Sequence, residues 1–188
     1  GLWSAPSDMI RFNVITGSEK TGISWWGVPA EMLPVNRRYN PAGEYTDANG
    51  DIRYYEDETD VYTQNHYHLF HTHLFPGRVS LNTGLHLTTG LGYYEEQKSD
   101  ISLFEYGLSD MFPTDPILSE QDIVQRKWLD NLFYGAVWSL VKQGATTEWT
   151  LGGAINRYDG DHYGTILWME NPGDVSPGHE WYRNNGLK

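Results

Sequence analysis

From Val79 to about Glu95 apolar side chains recur at alternate positions, and the residues between them limit the fold more than the apolar ones do. Val79, Leu81, Leu85, Leu87, Leu91 and Tyr93 alternate with Ser80, Asn82, Gly84, His86, Thr88, Gly90 and Gly92. A period of two marks a β-strand, whose successive side chains face opposite ways. A strand face washed by bulk water normally carries long charged residues, which also keep sheet edges from pairing. This one carries glycine, histidine and small polar residues. Leu and Val toward lipid, with small polar groups toward a wet interior, is what a wide membrane barrel requires.

Four further segments show β-type patterning, at about residues 8–24, 61–75, 123–142 and 148–168. Ile10, Phe12 and Val14 share a face in the first of these, while Tyr134, Ala136, Trp138 and Leu140 are in register in the third. Trp149, Leu151 and Ile155 follow the same rule in the last. The five segments reach about 15 to 20 residues, against the usual five or six of soluble sheets. Short turns are expected at about 76–78 and 143–147, and long loops at about 25–60 and 96–122. Short connections at one end and long ones at the other are the pattern of an up-and-down barrel. Loops of this length count against a compact soluble domain. The expected fold is therefore all-β: an antiparallel up-and-down transmembrane β-barrel segment, residues 1–188 supplying about five long strands. Within the first long loop, Asp47-Ala48-Asn49-Gly50 is expected to close a small hairpin with Asn49-Gly50 in a type I′ turn.

Composition narrows the function. The net charge of −12, from 25 acidic and 13 basic residues, repels nucleic acid and anionic lipid surfaces alike. Seven acidic residues, from Glu44 to Asp60, face the single Arg53 in the first long loop. There is no cysteine, so neither a disulfide framework nor thiolate chemistry is available. Aromatic residues make up 14% of the chain although apolar residues reach only 39%, which suits interfaces where amphipathic rings sit half wet. The longest nearly apolar stretch, Phe133 to Val141, is far short of a membrane helix but long enough for a spanning strand. The first residues, Gly1 to Ile10, show no initiating Met, basic segment or apolar leader; a removed signal or a start inside a longer protein is expected.

His66, His68, His71 and His73 form the most conspicuous chemical cluster. Neutral imidazoles are common ligands of zinc and copper, but strand alternation sends His66 and His68 one way and His71 and His73 the other. A single four-histidine site is thereby excluded. His86 on the paired strand is a conceivable third ligand beside His66 and His68. His66, His68 and His86 are expected to line a polar lumen, His71 and His73 to lie at the membrane interface, and no metal to be held. Asp47 to Asp51 lacks the twelfth-position Glu and the flanking helices of a calcium loop. Asp159, Asp161 and His162 lie close in sequence, yet no hydrolase, metalloprotease or nucleotide-binding fingerprint accompanies them, and the chain is not read as an enzyme. Aromatic pairs recur at Trp25-Trp26, Tyr54-Tyr55, Tyr93-Tyr94 and Trp181-Tyr182. Trp25, Trp26, Tyr54 and Tyr55, placed in the first long loop, are the candidates to face a ligand.

Several longer motifs resemble one family. Gly92-Tyr93-Tyr94-Glu95-Glu96, Arg126-Lys127-Trp128-Leu129-Asp130-Asn131-Leu132-Phe133-Tyr134-Gly135 and Arg157-Tyr158-Asp159-Gly160-Asp161-His162-Tyr163-Gly164 are similar to strands of TonB-dependent outer-membrane receptors of the Bacteroidetes type. Leu151-Gly152-Gly153-Ala154, Thr21 to Pro29 and Arg38 to Gly43 add to the likeness, which runs from about residue 9 to 185. The resemblance implies a 22-stranded barrel with an N-terminal plug, a TonB-type energiser acting through that plug, and a place in the Gram-negative outer membrane. Lipid and lipopolysaccharide would surround it. The imported ligand would be a scarce bulky nutrient such as a ferric siderophore, haem, cobalamin or a glycan, and no cofactor is expected. Neither plug nor TonB box is visible, so the chain is expected to be a mid-barrel portion, with open sheet edges that would not fold stably alone in water. The alternative is a soluble β-rich glycan-binding module that stacks sugars on its aromatic pairs.

Overall fold

The computed structural model describes residues 1–108, 110 and 120–188. Among them the chain forms strands β1 (Leu2–Ser4), β2 (Asp8–Gly22), β3 (Glu44–Thr46), β4 (Ile52–Tyr54), β5 (Thr59–Phe75), β6 (Val79–Ser102), β7 (Glu120–Gln143), β8 (Glu148–Met169) and β9 (His179–Leu187). Single 3-10 turns lie at Ala30–Met32 and Leu103–Tyr106. β3 and β4 make a separate small hairpin, and the other strands form one seven-stranded antiparallel sheet in the order β1-β2-β5-β6-β7-β8-β9. Successive strands of the sheet pair directly with their neighbours in sequence. Among the described residues β1 and β9 do not pair with each other, so the sheet is open rather than a closed barrel.

The sheet is wider than the sequence pattern indicates, and β6 and β7 are longer, while β2 stops at Gly22, short of the expected end near residue 24. β6 and β7 each run for 24 residues and β8 for 22. At about 3.3 Å per residue, the longest are about 80 Å end to end. The extra length at the long-loop end is polar: Gln97, Lys98, Ser99 and Asp100 in β6, and Glu120, Gln121 and Asp122 in β7. Hydrophobic alternation cannot reveal such pairing, because ladder hydrogen bonds hold it. The expected loop 96–122 is shortened accordingly, and its residues 109 and 111–119 lie outside the described residues. β1 and β9, which no apolar period marks, flank the sheet. β1 has only three residues, and in β9 Arg183, Asn184 and Asn185 mask any apolar period.

Two local findings correct or explain the sequence. The hairpin β3–β4 does not turn through type I′: Gly50 alone has positive φ there, +84°. The Gly50 amide donates to the Asp47 carbonyl at 2.9 Å and the Asp47 carboxylate accepts the amides of Asn49 and Asp51 at 2.9 and 3.0 Å. This is a type I turn followed by a left-handed glycine, and Asp47, by capping two amides, favours it over I′. Second, glycines in β6 make room for a tyrosine. A Cβ on Gly90 would lie 2.0 Å from the Tyr62 hydroxyl, and one on Gly92 would lie 2.2 Å from the Val61 carbonyl oxygen. Tyr62 lies flat across both.

The enclosed apolar core is small and sits at the long-loop end. Leu103, Tyr106, Ile123, Ile166 and Met169 form it, with Ile101, Leu108 and Trp181 packed around. The Leu103–Tyr106 turn supplies two of these side chains, so part of the loop after β6 folds back over the ends of β7 and β8.

Candidate functional site

Register fixes which residues share a face, and the two faces of the sheet differ in kind. One face carries Ile10, Phe12 and Val14 of β2, Tyr67 and Leu69 of β5, and Leu81, Leu85, Leu87 and Leu91 of β6. It continues through Leu132, Tyr134, Ala136, Trp138 and Leu140 of β7 to Leu151 and Ile155 of β8. Most of these side chains are uncovered: Leu85 is 48% exposed, Leu151 64% and Ile155 76%. This apolar surface spans five strands, and toward the long-loop end Asp130, Arg157, Asp159 and Asp161 share the face; soluble monomers rarely leave a continuous apolar surface beyond a few hundred Å² to water.

At the long-loop edge of this surface an aromatic row crosses three strands. Tyr93 and Trp128 have ring centroids 4.6 Å apart, and Trp128 stacks on Tyr163 at 5.7 Å with an interplanar angle of 6°. Guanidinium groups cover the row, Arg126 at 4.1 Å from the Tyr93 centroid and Arg183 at 4.1 Å from Tyr163. Each arginine is paired in turn. Arg126 Nε donates to Glu95 at 2.6 Å, and Arg183 donates to Asp161 at 2.9 Å and to Glu180 at 2.7 Å. Rings with a polar side and an apolar side, capped by paired charges, suit a boundary between apolar and aqueous surroundings.

The opposite face is mixed: glycine, short polar groups and hydrogen-bonded rings predominate, with Ile15, Phe70, Phe133 and Val137 among them. His66, His68 and His86 lie on it together, with His68 directly across from His86. They do not converge on a common point. His66 Nδ1 is 2.9 Å from the Thr88 hydroxyl, whereas His86 Nε2 is 2.9 Å from Asn156 Oδ1. Further toward the long-loop end a polar chain crosses the face: Asn131 donates to the Tyr62 hydroxyl at 3.1 Å and accepts from Tyr158 at 2.5 Å, and Tyr158 lies 3.2 Å from His162 Nε2. His71 and His73 sit on the other, apolar face, near the short turn Pro76–Arg78, and both contact Asp8 of β2.

The loop aromatics separate. Trp25 meets Tyr94 edge to face with centroids 5.3 Å apart, at the long-loop end of the polar face. Trp25 and Trp26 are 51% and 74% exposed. The Tyr54 hydroxyl donates to Glu44 at 2.9 Å, which ties it within the small hairpin. Tyr55 donates to Glu95, on the other side of the sheet from Tyr94, and burial together with that carboxylate holds its hydroxyl well above the ordinary tyrosine range. Among the described residues no ring contact joins Trp25 or Trp26 to Tyr54 or Tyr55. Asp159 and Asp161 face one way and His162 the other, so the three do not assemble into an acid–base site. Asp159 and Asp161 both accept from Asn185.

Asp8 is the functional candidate that the sequence alone does not single out. Its pairing opposite His73 follows from the register of β2 on β5, and register over some 60 residues of chain separation has no local signal.

No protein-family model matches this sequence, and comparison with curated proteins and with solved structures gives no significant similarity. Among the described residues no helix is long and apolar enough to cross a membrane, which says nothing of crossing by strands.

Proposed function

We propose that this chain is a stretch of the wall of an outer-membrane β-barrel, in a receptor of the TonB-dependent type that imports a scarce bulky nutrient. The observation that carries the proposal is the opposition of the two faces of one long antiparallel sheet. On β6 the apolar face runs from Leu81 to Leu91, about 33 Å of strand at 3.3 Å per residue. Tilted by the roughly 40° usual in such barrels, that stretch covers about 25 Å, the height of the apolar band that lipid demands. Tyr93, the next residue on that face, begins the aromatic row, where an interfacial girdle belongs. A bilayer satisfies the exposed leucines, and the ladder satisfies the backbone within it. The outer edges of β1 and β9 are left to further strands of a longer protein.

In this reading His66, His68, His86, Asn131 and Tyr158 face the lumen, and the long loops stand on the outer side. Trp25 and Trp26, exposed where the polar face meets the outer rim, are the residues best placed to stack on an incoming ligand. The family resemblance carries the energising partner and the choice among siderophore, haem, cobalamin and glycan. A soluble glycan-binding module fits less well, since it would turn its largest apolar surface to water. The test is cell fractionation. The protein is expected in the outer-membrane fraction, to need detergent for extraction, and to change mobility in SDS gels on heating. Recovery as a detergent-free, cooperatively melting monomer would refute the proposal.

A further inference from the structure

The geometry points to a divalent transition-metal site, of the kind that holds zinc, formed by Asp8, His71 and His73 at the short-turn end of the sheet. Their ligating atoms all lie within 4.8 Å of one another. His71 Nε2 is 3.0 Å and His73 Nδ1 is 2.7 Å from the same oxygen, Asp8 Oδ1. Two imidazoles and one carboxylate are a common ligand set for zinc, with a fourth position left to water.

The fit is close in distance. Zinc bound tetrahedrally at about 2.0–2.1 Å from nitrogen and oxygen separates its ligand atoms by about 3.3–3.4 Å. The His71 separation therefore needs to open by about 0.3–0.4 Å and the His73 separation by about 0.6–0.7 Å, with the two imidazole nitrogens, now within 4.8 Å of each other, settling at the same spacing. Metal binding replaces the two hydrogen bonds on that oxygen with three metal–ligand bonds, each neutral imidazole carrying its proton on the ring nitrogen that faces away from the metal.

The site is also held in place before any metal arrives. His71 and His73 are two residues apart on one strand, which puts both rings on one face, and their centroids are 6.3 Å apart. Asp8 stands directly opposite His73 in the ladder. Its second oxygen, Oδ2, accepts from the Ser7 hydroxyl at 2.8 Å, the kind of outer contact that orients a ligating carboxylate. Backbone bonds fix the strand end: the Ala5 amide donates to the Asp8 carbonyl at 2.8 Å and the Leu74 amide to the Ser7 carbonyl at 2.7 Å. Side-chain exposures of 41% for His71, 31% for His73 and 27% for Asp8 leave an entry path. His66 and His86 offer a contrast within the same chain: their ring nitrogens turn to separate partners, Thr88 and Asn156, neither of them a carboxylate.

The experiment is equilibrium Zn²⁺ binding by calorimetry to the full chain in detergent micelles, with Co²⁺ as an optical probe of coordination. Circular dichroism verifies the β-spectrum of each variant. One tight equivalent of Zn²⁺ is expected, and a tetrahedral Co²⁺ spectrum displaced by Zn²⁺. Asp8→Asn is expected to weaken binding at least tenfold, and His71→Ala with His73→Ala to abolish it. The triple replacement His66→Ala, His68→Ala, His86→Ala is expected to leave it unchanged. Absence of a stoichiometric site in the folded parent chain would overturn the inference. So would loss of binding that follows the triple replacement instead of Asp8. Asp8→Asn keeps the shape of the side chain, so it serves even where the double alanine variant fails to fold.

Discussion

Leu85 lies midway along the apolar stretch of β6, between Leu69 and Ala136 on the neighbouring strands, and is 48% exposed. Replacing it with arginine separates lipid from water as its surroundings. In water, a half-exposed site with a small neighbour accepts a long charged side chain at a change within about 0.5 kcal/mol. At the midplane of a bilayer the same replacement costs about 2–4 kcal/mol, about 30- to 700-fold in the folding constant. Gln64→Arg is the matched control, since Gln64 is exposed on the opposite face between Gly17 and Gly90. An arginine there reaches the wet side of the sheet and is expected to change stability by less than about 0.5 kcal/mol. The assay is guanidinium unfolding of the protein reconstituted in phosphatidylcholine vesicles, followed by tryptophan emission. Equal midpoints for Leu85→Arg and the parent, or equal losses for both replacements, would refute the assignment of the faces.

Gly92→Ala is expected to destabilise by about 1–3 kcal/mol, because its Cβ would meet the Val61 carbonyl and the Tyr62 Cα, which are backbone atoms. Gly90→Ala should cost less, since Tyr62 can swing aside; chemical unfolding of the pair tests the order. Asn131→Leu strips partners from two tyrosine hydroxyls and is expected to cost about 1–3 kcal/mol, with a smaller loss in Tyr62→Phe, read by the same assay. Glu58, buried beside β6 with its carboxylate accepting the Gln97 amide at 2.7 Å, is held by burial above its ordinary value near 4.5. Its buried charge therefore lowers stability at neutral pH, and that loss is relieved as pH falls through the raised value toward 4.5. Glu58→Gln is expected to be more stable than the parent at pH 7, with the difference vanishing at low pH; unfolding midpoints from pH 4 to 8 would measure it.

What was legible in the sequence follows from what leaves a local periodic trace. The alternation of leucine with glycine and threonine in β6 gives both the strand and the character of its two faces, because each residue announces its own side. The opposition of His66 and His68 to His71 and His73 follows from the same parity. The strand ends at Lys98 to Ser102 and Glu120 to Asp122 left no trace, since backbone pairing that shifts register between Lys98 and Ile101 and side-chain bonds such as Asp122 to the Asp100 amide hold that region. Long-range register was illegible too. Tyr93, Trp128 and Tyr163 are aligned only by the pairing of β6, β7 and β8, and Asp8 meets His73 only through the pairing of β2 with β5. The type I turn at Asp47 is hidden from residue type, since Asn49-Gly50 suits type I′, while the Asp47 side chain, capping two amides, decides otherwise.

The absence of native cysteine makes the central claim directly measurable. Single cysteines at residues 85, 86, 87 and 88 of β6, each carrying a nitroxide label in the membrane-reconstituted protein, report collisions with oxygen, which concentrates in lipid, and with a water-soluble nickel chelate. If the leucine face meets lipid and the glycine-histidine face meets a lumen, labels at 85 and 87 favour oxygen and labels at 86 and 88 favour nickel. Nickel access at 85 and 87 equal to that at 86 and 88, or protection of 85 and 87 from both reagents, would contradict it.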